Sequence, residues 1–134
     1  MGRLENKFDN FNNAVKRLNE ANIAYKKDDG DSLYRDSLIK RFEFTFELAW
    51  KTLREFLFAQ GYILTVASPK NVIAFAYREG FLNSENIWLD MLNARNATAH
   101  DYDSELSDGI AEDISNRYCK ELQKLCKFIS ENLK

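Results

Sequence analysis

One histidine, one proline and two cysteines stand among 134 residues, and there are only five glycines. Each scarcity removes a class of chemistry. With a single His and no Cys-x-x-Cys pair, the chain is short of ligands for a zinc site. Cys119 and Cys126 are seven residues apart, about two helical turns. They point the same way from one helix but stand too far apart along it for a disulfide. They read as reduced, packed thiols of a cytosolic protein. No glycine-rich loop is present to cradle phosphates, so the chain is not expected to transfer nucleotides itself. No metal and no cofactor is expected. There is no long apolar run and no leader-like segment, which predicts neither a membrane span nor secretion. An excess of charge is missing as well. Nineteen basic and 21 acidic residues give a net charge of -2, so the overall field does not favour nucleic acid. Any RNA contact must rest on a local basic patch.

The residues that are present are patterned for helices. Apolar residues make up 45% of the chain and charged residues 30%, an ordinary globular balance that fits one domain spanning 1–134. Leu4, Phe8, Phe11, Val15, Leu18, Asn22 and Tyr25 alternate steps of four and three. That is one stripe of an amphipathic helix, broken only by Asn22. The polar run at 26–31 reads as a turn, and Asp31 or Ser32 can cap a second helix. That helix is expected to run to about Gln60, with Gly61 as a left-handed stop. Leu38, Phe42, Phe46, Ala49, Leu53 and Phe56 form its apolar face, and Phe44, Leu48 and Trp50 widen it. Such a helix is either central in a bundle or partly covered by another subunit. Glu47, Lys51 and Glu55 read as a solvated charge ladder. Glu43 and Glu47 are weak candidates for metal ligands.

Residues 62–67 read as an extended connection. Ser68-Pro69 starts a short helix ending at Gly80. Asn83 or Ser84 opens the next, through Ile87, Trp88, Met91 and Leu92. Ile110, Ile114, Tyr118, Leu122, Leu125 and Ile129 define a last long helix. The expected fold is all-α, an antiparallel up-and-down bundle of about five helices.

The stretch from Leu92 to Tyr102 carries the candidate chemistry. It holds Arg95, Asn96, the only histidine, His100, and Tyr102. Arginine can hold a phosphate with two parallel N–H bonds. Histidine can both take and give a proton near neutral pH. On one continuous helix His100 falls roughly 140° round from Arg95. The two reach one phosphate only if the helix ends or distorts near Ala99, or if a second copy completes the site. A plainer reading stands beside this: a histidine near a helix C-terminus interacts favourably with the helix dipole. Asp103, Glu105, Asp108, Glu112 and Asp113 make the following stretch acidic, which counts against tight unaided RNA binding.

Arg95-Asn96-x-x-x-His100 resembles the R-(polar)-x-x-x-H signature of the HEPN superfamily. With Tyr102 it extends to R-x4-H-x-Y, as in the HEPN half of HEPN/MNT toxin–antitoxin modules. A second run, Arg41 to Lys51 (RFEFTFELAWK), resembles the subgroup of nucleotidyltransferase substrate-binding proteins. The resemblance covers roughly residues 4 to 130 and implies an HEPN-like helical bundle. It implies a homodimeric, metal-independent endoribonuclease with RNA as substrate. Arg95 would bind the scissile phosphate, His100 would act on the 2′-hydroxyl or the leaving 5′-oxygen, and Asn96 would orient groups. It also implies a partner, a minimal nucleotidyltransferase of MNT type, which in some related modules adenylylates the tyrosine matching Tyr102. A different implication is a non-enzymatic substrate- or nucleotide-binding subunit of a two-component nucleotidyltransferase.

Overall fold

The computed structural model describes residues 2–100 and 104–133, with the side chains at positions 99 and 100 outside that description. The described chain is helical, without a strand: α1 (Arg3–Lys27), α2 (Ser32–Ala59), α3 (Pro69–Arg78), α4 (Glu85–His100), α5 (Ser104–Asp113) and α6 (Cys119–Asn132). A π-helical turn, Ile114–Tyr118, joins α5 to α6. The residues flanking it, Asp113 and Cys119, keep right-handed helical backbone, so α5, the turn and α6 form one rod. The five expected helical segments are therefore present.

Local chemistry fixes the ends. Asp31 caps α2, its Oδ1 accepting from Leu33 N at 2.8 Å, and Ser68 caps α3 by accepting from Asn71 N at 3.3 Å. Ser84 accepts from Ile87 N at 3.4 Å and opens α4. Gly61 (φ 94°) and Gly80 (φ 83°) take the left-handed conformation. Each is followed by a backbone bond back across the last turn, Tyr62 N to Leu57 O at 3.1 Å and Phe81 N to Ala76 O at 2.9 Å. Both helices thus end in the same glycine-dependent closure, which satisfies carbonyls that would otherwise be orphaned.

The core lies around α2, which packs against α1, α3, α4, α5 and α6. Leu38, Phe42, Phe46, Ala49 and Leu53 are wholly buried, and Phe56 nearly so. Trp50 is buried as well, but Phe44 stands 63% exposed. Of the two explanations for the wide apolar surface, the central position in the bundle accounts for all but Phe44. Against α1, α2 presents two wholly buried threonines. Thr45 Oγ1 donates to Arg41 O at 2.6 Å, with Ala14 O at 3.3 Å, and Thr52 Oγ1 donates to Lys7 O at 3.3 Å. Hydroxyls that back-bond to carbonyls can be buried without leaving a polar group unmatched.

The rod has its own logic. Ile110, Ile114, Tyr118 and Leu122 are all buried, and successive members are four residues apart. On an α-helix each four-residue step drifts about 40° round the axis, so three steps drift about 120°. The wider π turn absorbs that drift and keeps all four side chains facing the core. Tyr118 then stacks on Phe42, ring centroids 5.5 Å apart. Burial, with the Asp113 carboxylate next in effect, pushes its hydroxyl pKa up to about 12. Cys119 and Cys126 are free, buried thiols, and burial pushes that of Cys119 up to about 11.

Candidate functional site

Side-chain contacts to α2 and to the π turn help to seat α4. Trp88 is buried against Phe46 of α2 at 6.2 Å between centroids. Asp90 Oδ2 accepts from Arg117 Nη2 at 2.9 Å, tying α4 to the π turn. Near its C-terminal end α4 meets two carboxylates of α2. Glu47 Oε2 pairs with Arg95 Nη2 at 2.9 Å, and Glu43 Oε2 accepts from Thr98 Oγ1. The two pairs run in opposite directions along the chain, Glu43 with Thr98 and Glu47 with Arg95, as antiparallel neighbouring helices require.

Arg95 is thus the centre of a small polar cluster. Its Nη1 donates to Asn96 Oδ1 at 3.3 Å, and its side chain is 37% exposed. Lys51 stands 3.8 Å from the other oxygen of Glu47, and Lys40 stands 3.9 Å from Glu43. Exposed Phe44 belongs to the same strip of α2. Five charged side chains therefore surround the strip, three positive and two negative. These five side chains sum to one positive charge.

The charge ladder expected on α2 takes a different form. Lys51 does pair with Glu47, but Glu47 also reaches across to Arg95. Glu55 leaves the ladder altogether. Its side chain is only 11% exposed and is held by Arg3 at 3.2 Å and by Arg54 at 3.3 Å. Helical spacing identifies neighbours on α2 and is silent about the facing helices. As for metals, no three His, Cys, Asp or Glu side chains converge among the described residues. Glu43 and Glu47 serve as partners of Thr98 and Arg95.

Of the sequence-predicted residues, Arg95 and Asn96 lie side by side on α4. The backbone stays α-helical through His100, so α4 does not end before that residue. The side chain of His100 and the whole of Tyr102 lie outside the described residues. Sequence reasoning misses Thr98 as a partner of Glu43. Its only signal is a small polar residue three positions after the arginine.

A cleft of about 530 Å³ lies where α5 starts beside the α1–α2 turn. Arg35 crosses it, donating to Asp108 at 3.1 Å and to Ser104 at 3.3 Å. Tyr25 donates to Glu112 at 2.7 Å. Burial and then this hydrogen bond raise the Tyr25 pKa well above the ordinary phenol value. These are internal pairings that fasten the rod to α1 and α2. No helix among the described residues is long and apolar enough to cross a membrane.

These features define an all-α helical bundle. The chain belongs to the nucleotidyltransferase substrate binding protein-like family, whose model matches residues 6–131. Solved structures share the fold, three of them as follows. A protein of Thermus thermophilus is 28% identical, with a TM-score of 0.78 over 87% of this chain and 96% of that one. HI0074 of Haemophilus influenzae, described as having the fold of a substrate binding domain of a nucleotidyltransferase, is 22% identical. Its TM-score is 0.79 over 92% of this chain and 98% of its own. A tri-AMPylated HEPN toxin of Shewanella oneidensis, solved in complex with an MNT antitoxin, is 16% identical. Its TM-score is 0.75 over 98% of this chain and 99% of its own. Among curated proteins no significant match is found.

Proposed function

We propose that this chain is a cytoplasmic, single-domain HEPN-type partner of a minimal nucleotidyltransferase and acts as a metal-independent endoribonuclease. The observation that carries the reading is the placement of Arg95. It sits partly exposed on the C-terminal half of α4 with Asn96 beside it. Its guanidinium would bind and neutralise the scissile phosphate. His100 would take the proton of the attacking 2′-hydroxyl or give one to the departing 5′-oxygen. Cleavage profits from both a base and an acid, and each chain has one histidine. A two-fold dimer would bring two histidines to one cleft. Because α4 continues through position 100, helical geometry keeps residues 95 and 100 about 140° apart on one chain. That favours a site completed by a second copy. Exposed Phe44, on the strip of α2 that meets Arg95, is the natural apolar contact for it.

A second reading makes the chain the substrate- or nucleotide-binding subunit of the partner enzyme. The engagement of Arg95 by Glu47 favours it, because a guanidinium already paired with a carboxylate is less able to neutralise the charge that builds on a phosphate during cleavage. In either case Tyr102 is a candidate for adenylylation by the partner. The phosphate so added would compete for Arg95. Intact-mass analysis after incubation with the partner and ATP checks this, and an unchanged mass removes the modification.

The deciding assay is RNA cleavage by the isolated protein in EDTA, with Arg95→Ala and His100→Ala beside it. Cleavage that survives chelation and disappears in both variants supports the nuclease. No cleavage by folded wild type moves the assignment to the binding subunit.

A further inference from the structure

Arg95 does not present a free guanidinium. Glu47 Oε2 lies 2.9 Å from its Nη2, and Asn96 occupies Nη1 at 3.3 Å. The two outer nitrogens, the pair that would grip a phosphate bidentately, each already carry an acceptor. A phosphate approaching from solvent must therefore displace Glu47 or share the guanidinium with it. Glu47 is itself well placed to stay. Its other oxygen faces Lys51 at 3.8 Å, and its side chain is 29% exposed.

We infer that Glu47 is an acidic latch on the anion site: it holds Arg95 in place but lowers the affinity of that site for phosphate until a ligand displaces it. The inference rests on the reading of Arg95 as the anion-holding residue and adds how that residue is restrained. Sequence distance hides the device, because the two side chains come from different helices, α2 and α4. The latch gives the site a selectivity that a free arginine lacks. A small anion with one or two charges gains little by replacing a carboxylate. A ligand with several phosphates, or one that also places hydroxyl or amino donors near Glu43 and Glu47, recovers what the displaced pair loses.

The size of the effect follows from Coulomb's law. Removing one negative charge about 6 Å from a bound phosphate, at the high effective dielectric of a half-exposed site, strengthens binding by about three- to tenfold. The test uses the full chain and a fluorescein-labelled, fully 2′-O-methylated oligoribonucleotide, which has no 2′-hydroxyl to be cleaved. Binding is followed by fluorescence anisotropy at low ionic strength. Glu47→Gln keeps the shape of the side chain and removes its charge. It is expected to bind about three- to tenfold more tightly than wild type, and Glu47→Gln with Arg95→Ala is expected to lose that gain. Glu131→Gln, the same charge change on exposed α6, is expected to leave binding unchanged.

An affinity of Glu47→Gln equal to or weaker than wild type overturns the latch, and a weaker one makes Glu47 a positioning residue that helps Arg95 bind. A gain that survives Arg95→Ala, or that Glu131→Gln reproduces, also overturns it. Arg95→Ala binding as well as wild type refutes instead the reading of Arg95 as the anion holder. No binding by any variant refutes both.

Discussion

Phe44 and Phe46 lie two residues apart on α2 and should respond to truncation very differently. Phe46 is wholly buried and packs 6.1 Å from Phe42 and 6.2 Å from Trp88 between centroids. Replacing it with alanine removes the ring from the contact that seats α4 on α2. Truncation of a buried phenylalanine costs about 3–5 kcal/mol, through lost transfer energy and the cavity left behind. A domain of 134 residues moves its midpoint by roughly 3–5 °C per kcal/mol, between the values for smaller and larger domains. Phe46→Ala should therefore lower Tm by about 10–25 °C. Phe44 is 63% exposed, so Phe44→Ala should change stability by less than about 0.5 kcal/mol in the isolated chain. Urea unfolding at low protein concentration checks both. Equal losses at the two positions would refute the assignment of Phe44 to the surface strip. A loss at Phe44 that grows with protein concentration carries a separate meaning. It identifies a second copy seated on Phe44, because association stabilises by mass action.

Backbone geometry and burial set two further outcomes. Gly61→Ala and Gly80→Ala should each cost about 1–2 kcal/mol, because the left-handed backbone penalises a Cβ. No heavy atom lies within 4 Å of the added carbon at either site, so the cost is backbone strain alone. Gly109→Ala should instead stabilise by up to about 1 kcal/mol, since Gly109 sits inside helical α5 with open space beside it; thermal melts of the three variants separate the signs. Alkali should also destabilise the protein beyond the ordinary tyrosine range. Tyr25 and Tyr118 have folded pKa values raised above the usual 10.0. A raised folded value means that the folded state holds the proton more tightly than the unfolded chain does. Their contribution is full below about pH 10 and is lost as pH rises towards and through the folded values. Urea midpoints should fall from about pH 10 upward, and Tyr118→Phe should flatten the part of the fall that ends near pH 12. A midpoint indifferent to pH in that window would contradict the burial of both hydroxyls.

The legible and the hidden features of this chain divide along a physical line. Periodicity reports which face of a helix is apolar, so the stripes on α1, α2 and α6 are legible residue by residue. Turn chemistry is equally local, so the roles of Gly61, Gly80, Asp31 and Ser68 can be read from their immediate neighbours. The π turn is half legible. Ile110, Ile114, Tyr118 and Leu122 repeat every fourth residue, and a strict α-helix cannot keep such a repeat on one face. The spacing encodes the under-winding, although by itself it passes for an ordinary stripe.

The candidate site divides the same way. Arg95 and Asn96 are visible because their motif is contiguous. Glu43 and Glu47 look like ladder members or weak ligands, because the residues they meet lie on another helix. Helix-to-helix pairing depends on which turn of α4 lies over which turn of α2. That register is set by bulky contacts such as Phe46 with Trp88, not by the charged residues themselves. The packing of an aromatic pair thus decides where a carboxylate falls relative to the arginine and, on the proposed role of Arg95, how strongly an anion would be held. The consequence is a link between core and function. A core substitution that preserved stability but shifted α4 by one turn, about 5.4 Å, would separate Arg95 from Glu47 and Thr98 from Glu43 together. On the proposed role of Arg95, it would change anion affinity without touching any residue of the motif.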